Sequence, residues 1–293
     1  MEQDASRSLV TPAASRDAPG IASLARARGR GRLVFAHDAD TTALADLNQE
    51  GSLRICLPRR ERGALFAAVM VNTAGGLTGG DDFALEVSWP PGSRATVTTQ
   101  AAERVYRALR ALGPATVSTK LEVGAGAVAE WLPQETILFD RSALDRRLEV
   151  SLAFGAWFLG IESLVFGREA MGESVSEGSL RDTIDVRRGG QRLLLDRLRL
   201  DGPVANLLAR PAVAAGARAV ATIVHVASDA EHKIGVVRER ASALPGVEVG
   251  ASTWDGMLVA RVLAPGGAAL RAATIELLAP LRDGRPLPRV WSC

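Results

Sequence analysis

Leu121-Glu-Val-Gly-Ala-Gly-Ala-Val-Ala-Glu-Trp-Leu132 decides how this chain folds. Two β-compatible runs flank a Gly-Ala-Gly corner, and glycine takes the left-handed backbone of a tight turn without steric cost. The opening Leu-Glu-Val occurs three times, at 85–87, 121–123 and 148–150. Each copy runs into a turn glycine: Gly92, Gly126 or Gly155. Each turn leads into another strand-like run: 95–99, 127–132 or 156–161. Strand, tight turn and strand is the grammar of a β-hairpin. Repetition at roughly thirty-residue spacing predicts sheet layers stacked along an axis. The expected fold is therefore mainly β, a layered, β-helix-like scaffold of serial hairpins.

Working outward, residues 52–57 alternate with period two, as a half-buried strand does, whereas 64–71 and 219–226 are continuously apolar, as in strands buried on both faces. Gly189-Gly190 separates two strand-like runs and predicts one more hairpin. Two α-helices are expected in the C-terminal half. Ser228-Asp-Ala-Glu231 has capping-box form, and Ala230, Ile234, Val237 and Ala241 follow at helical spacing. The second helix spans Ala268–Ala279, with Leu270, Thr274, Leu277 and Leu278 on one face, and Pro280 ends or kinks it. Residues 1–30 lack periodicity and read as a disordered leader; 31–293 read as a single β-rich domain.

Of the 293 residues 47% are hydrophobic and 23% charged, so a sizeable core can form. A net charge of +2 provides no strong field for a polyanion, and nucleic acid is not an expected partner. No apolar run approaches the ~18 residues of a membrane span. The two cysteines, Cys56 and Cys293, form no Cys-x-x-Cys, and a reducing, cytoplasmic setting fits them. The histidines have no zinc-type spacing; His225 lies in an apolar strand, where a satisfied core histidine is expected.

The run Trp131-Leu-Pro-Gln-Glu-Thr-Ile-Leu-Phe-Asp140 threads two acids, a proline and an amide through an apolar stretch. A buried polar group without a partner costs about 1–3 kcal/mol. These residues therefore call for internal hydrogen bonds, a partner surface or a wet passage. Asn72–Asp81 is glycine-rich but lacks the Gly-Lys-Ser/Thr of a phosphate loop, and Asp81 is expected to cap loop amides. No Gly-x-Ser-x-Gly elbow is present. Glu135 and Asp140 could serve as general acid and base, but their odd separation turns them to opposite faces of a regular strand unless Pro133 breaks the register.

Gly75-Gly-Leu-Thr-Gly-Gly-Asp81, Thr98-Thr-Gln-Ala-Ala-Glu-Arg-Val-Tyr-Arg107, Glu130–Asp140, Gly167-Arg-Glu-Ala-Met-Gly-Glu173 and Arg285-Pro-Leu-Pro-Arg-Val-Trp291 occur in this order. Together they resemble the urease accessory protein family UreD, also called UreH, over about residues 31–292. The resemblance implies a β-rich, β-helix-like fold with two helices. It implies a cytoplasmic, non-enzymatic scaffold or chaperone that binds UreF, through it the GTPase UreG, and apo-urease. It implies assistance in nickel delivery to the urease active site, through an internal tunnel in one proposal for the family. No tightly bound cofactor is expected, only transient nickel.

A conduit should bind nickel weakly and serially, which suits scattered carboxylates and water. Candidate conduit residues are Asp81, Glu135, Asp140, Glu162 and Glu173; otherwise they satisfy loop amides or pair with Arg104, Arg107 or Arg168. The extended tail with Arg285, Pro286, Pro288 and Trp291 is the candidate partner-binding surface. The competing readings are a β-solenoid carbohydrate-active enzyme using paired carboxylates, and an interaction module without metal transfer.

Overall fold

A computed structural model describes residues 25–38, 41–60, 62–168 and 171–292. β1 (Arg28–Asp38) and β2 (Thr41–Gly51) pair antiparallel in a first sheet. β3 (Leu53–Cys56) and β4 (Phe66–Asn72) begin a second. The chain then alternates. β5 (Asp82–Trp89) joins the first sheet, and β6 (Arg94–Thr99) and β7 (Glu103–Val105) the second. β8 (Ala115–Val123) returns to the first, and β9 (Val128–Leu132) and β10 (Thr136–Leu138) to the second. β11 (Ala143–Leu152) and β12 (Trp157–Phe166) repeat the step. β13 (Gly178–Arg188) and β14 (Gln191–Gly202) complete the first sheet as the hairpin expected at Gly189-Gly190. After α1 (Val204–Leu208), the second sheet is completed by β15 (Ala219–Val226), β16 (Glu248–Trp254) and β17 (Met257–Ala264). Helices α2 (Ile234–Ser242) and α3 (Gly267–Leu281) cover its outer side.

The protein is mainly β, as expected, but the repeated units are not hairpins. Strands flanking each glycine corner lie in different sheets. β8 pairs in parallel with β5 and β11, and β9 pairs in parallel with β6 and β12. The corners are residues 90–93, 124–127 and 153–156, and Gly92, Gly126 and Gly155 hold φ of 76°, 67° and 76° within them. A hairpin turn and a sheet-to-sheet corner both require a residue at positive φ, so local chemistry does not separate them. The lateral hydrogen bonds instead go to the next repeat, where Val87, Leu121 and Val150 fall in one register row.

Two cores result. The first fills the space between the sheets, with Leu33, Phe35, Leu85, Trp89, Trp131, Leu148 and Phe158 among its members. The second lies between the second sheet and the helices, with Leu132, Ile161, Ile223, Val262, Leu270 and Leu277. This explains the two sequence patterns. β5, β8 and β11 alternate buried and more exposed residues because the first sheet's outer face meets solvent. β15, the apolar run at 219–226, is covered on both faces, whereas β4, expected likewise from 64–71, is only half-buried along most of its length.

Three local expectations change. Arg28–Arg30, read as the end of a disordered leader, begin β1, and residues 1–24 lie outside the described residues. The capping box at Ser228 is not used: α2 starts at Ile234 behind Lys233, with no side-chain cap, because residues 228–233 first form turns. α3 runs through Pro280 and ends one residue later, at Leu281. Its buried face holds the four residues expected there.

Candidate functional site

Period-two geometry makes β9 a partition between the two cores. Trp131 points inward, where its indole N–H donates to Glu162 Oε1 at 2.8 Å. Arg146, reaching across from the first sheet, meets Glu162 Oε2 at 2.7 Å. Its Nε and Nη2 grip Asp182 on the neighbouring strand at 2.9 and 2.6 Å, and Nη1 reaches Thr136 at 3.1 Å. One guanidinium thus faces two carboxylates. Burial pushes the Glu162 carboxyl up, the Arg146 charge opposes this, and Asp182 adds to the rise.

Trp131, Thr136, Arg146 and Glu162 line a cavity of about 260 Å³ between the sheets. Leu53, Leu77, Phe83, Leu85 and Leu148 form its apolar wall. Glu103 and Gln134 add polar lining beside Gln100 and Ala101, which are exposed to solvent. Burial also pushes the Glu103 carboxyl up, against hydrogen bonds from Asn72 Nδ2 and the Arg104 amide. The cavity is therefore an apolar chamber with acidic spots, not a converged ligand set. Among the described residues, no three His, Cys, Asp or Glu side chains come together as a metal centre.

The opposite side of β9 holds the tail. Glu130, fully buried, accepts from Arg282 Nε and Nη2 at 3.0 and 2.8 Å, from Arg285 Nε at 3.4 Å and from Thr96 at 2.6 Å. Arg285 also stacks over Trp157. Trp291 is buried and donates to the Leu132 carbonyl at 3.1 Å. The Gln134 amide donates to the carbonyls of Gln100 and Val290, both at 2.9 Å, and accepts from Arg271 at 2.6 Å. In the tail that is the candidate partner-binding surface, the side chains of Arg285 and Trp291 are anchored to this chain's own sheet, whereas Pro286 is exposed and Pro288 half-buried.

The five candidate conduit residues separate into groups. Glu162 lines the cavity. Glu135 is buried just past Gln134, 3.7 Å from Arg271. Asp81 accepts the Ala27 and Thr78 amides at 2.9 and 2.8 Å, bracing the glycine-rich loop to the start of β1. Asp140 accepts from the Ser176 amide and hydroxyl at 2.8 and 2.7 Å and from the Glu177 amide at 3.1 Å. Burial pushes its carboxyl up, but these bonds and Arg141 outweigh it, and the net shift is downward. Glu173 takes Arg168 Nε at 2.6 Å, and that guanidinium stacks on Phe139. Asp140 and Glu173 share a surface hollow with Tyr106, Arg107, Phe139 and Arg141, away from the cavity lining.

Sequence reasoning missed Glu103, Glu130, Arg146 and Asp182 as site members. Glu130 carried a readable signal, a lone acid between Ala129 and Trp131 in a buried strand. Arg146 and Asp182 carried another, charges at the buried phase of alternating strands. Their pairing is across register and was not readable from either segment alone.

Fold and interior together define a two-sheet scaffold whose polar interior is built from ion pairs across β9. A family model described as "UreD urease accessory protein" matches residues 27–292. Curated relatives named "Urease accessory protein UreD" include one from Methylobacterium sp. (strain 4-46), 47% identical over 274 residues, covering 91% of this chain and 95% of the relative. Another, from Xanthobacter autotrophicus, is 45% identical over 294 residues, covering 97% of this chain and all of the relative. A third, from Agrobacterium fabrum, is 42% identical over 267 residues, covering 91% and 92%. The chain belongs to the UreD family of urease accessory proteins, and its role lies in urease maturation.

Proposed function

We propose that the protein is a non-enzymatic scaffold of urease maturation that passes nickel through the chamber between its sheets. The observation that carries the route is the Glu162–Arg146 pair lining a chamber of about 260 Å³, with Asp182 behind it on the same guanidinium. A conduit must hold a divalent cation briefly, and carboxylates shared with a competing guanidinium do this better than a closed ligand cage. Glu103 and Glu162 would serve as successive carboxylate contacts. Asp81, Asp140 and Glu173 brace loops in this reading. The partners are UreF, UreG through UreF, and apo-urease, in the cytoplasm. No helix among the described residues is long and apolar enough to cross a membrane.

Paired-carboxylate hydrolysis is less well supported, because acid and base must reach one substrate while Glu135 is buried beside Arg271 and Asp140 braces the 176–177 amides in a surface hollow that Glu135 does not line. The test of the proposal is co-expression of apo-urease, UreF and UreG with and without this chain, scored for urease-bound nickel. Nickel loading should depend on the chain; equal loading without it would refute the scaffold role.

A further inference from the structure

Seven large apolar or aromatic side chains stand exposed among the described residues, and three of them, Tyr106, Leu109 and Met171, belong to the segments that frame one surface hollow. Tyr106 lines the hollow, Leu109 follows shortly after Arg107, and Met171 shortly precedes Glu173. Scattered exposed apolar residues are ordinary, but a group rimmed by polar side chains marks an interaction site. The floor of the hollow is an aromatic stack. Phe139 and Tyr106 meet edge-on with ring centroids 4.9 Å apart, and the Arg168 guanidinium lies 4.4 Å over Phe139. The two rings follow directly on the paired strands β7 and β10, so the sheet holds them side by side. The Tyr106 hydroxyl donates to the Gly75 carbonyl at 3.0 Å, and its ring lies so close over Gly76 that a β-carbon there would meet it at 2.3 Å. This surface is formed in advance of any partner.

The charges around the hollow are unevenly committed. Its two acids serve the chain itself: Asp140 accepts from Ser176 and Glu177, and Glu173 takes Arg168. Its arginines are freer. Arg107 makes no ion pair among the described residues, Arg141 has only Asp140 at 3.6 Å, and the exposed Arg110 has only Glu177 at 4.0 Å. Arginine and tyrosine are the residue types that anchor protein interfaces, and a guanidinium binds a carboxylate in a planar, two-pronged fashion. We propose that this hollow docks an acidic segment of a protein partner, with a carboxylate taken by Arg107 and Arg141 and an apolar side chain seated on Tyr106 and its neighbours Leu109 and Met171. Two carboxylates in the same hollow and a net charge of only +2 disfavour a polyphosphate there. The inference rests on the scaffold reading, for which it supplies one docking face, and not on the route through the chamber.

The test is biolayer interferometry of the full-length, metal-free chain against purified UreF and, separately, purified apo-urease. The parent should bind, and Arg107→Glu should weaken its binding to one of the two by about tenfold, the effect of losing one interface anchor. Met171→Ser should weaken the same partner severalfold. Added salt should weaken the parent more steeply than Arg107→Gln, since one steering charge is gone. Arg199→Glu, exposed on β14, changes the net charge equally and should leave both affinities unchanged. All four positions are exposed, so thermal unfolding should match the parent and show that the fold is kept. A parent that binds while Arg107→Glu binds both partners equally well would overturn the docking site and leave the scaffold reading standing. An equal loss in Arg199→Glu would also overturn it, by showing an effect of net charge alone. Self-association of the chain in sedimentation, abolished by Arg107→Glu, would assign the face to a second copy instead. A parent that binds neither partner would remove the scaffold reading and this inference with it.

Discussion

Trp131 and Glu162 meet across 2.8 Å inside the chamber, indole N–H to carboxylate, on adjacent strands of the second sheet. One residue earlier, Glu130 serves the other face, where it receives Arg282 and Arg285. A single strand thus ties the interior cluster to the C-terminal tail.

Arg282→Met should be the most damaging single change at the tail. It leaves the Glu130 carboxylate buried with Arg285 alone as its ionic partner. Removing one member of a buried pair costs about 3–5 kcal/mol. Denaturant unfolding should show a loss of that size, partly recovered when Glu130→Gln is added. Equal losses in the single and double variants would show that the pair is not coupled.

Trp291→Ala should act on stability before it acts on partner binding. Emptying the site of a buried tryptophan costs about 3–5 kcal/mol. Pro286→Ala, at an exposed position, should stay within about 0.5 kcal/mol of the parent. Thermal unfolding of both variants measures this; a Trp291→Ala chain as stable as the parent would argue for a free tail.

Asp140→Asn distinguishes a loop brace from a conduit. The downward-shifted Asp140 carboxyl contributes stability that is present above its ordinary value of 3.8 and is lost as pH falls through its folded value. The variant should therefore melt below the parent at pH 7, and the difference should vanish in acid. Urease activation should persist with the complex assembled, and likewise for Glu173→Gln. Lost nickel loading with an intact complex would restore these residues to the route.

Much of the architecture was readable because it rests on local chemistry. The apolar run at β15, the glycine corners and the buried face of α3 follow from residue type and period. Strand partnership did not, because Gly92, Gly126 and Gly155 would look the same in hairpins. The site was legible in part. The anomaly at Trp131–Asp140 is real, but its polar residues have three different fates: Glu135 beside Arg271, Gln134 on the tail, and Asp140 on the 176–177 amides. Glu162 entered the candidate set through the resemblance, while Arg146 and Asp182, which define its environment, come from strands whose register the sequence does not display.

Glu162→Gln provides the most direct measurement of the central claim. Glutamine keeps an acceptor for Trp131, and Asp182 keeps Arg146 paired one to one, so the fold should survive the change. The readout is nickel bound per urease active site after co-expression with UreF, UreG and apo-urease, with recovery of the assembled complex as control. The account predicts a severalfold fall in nickel with the complex intact. Full nickel loading by the Glu162→Gln chain would contradict a route through the chamber.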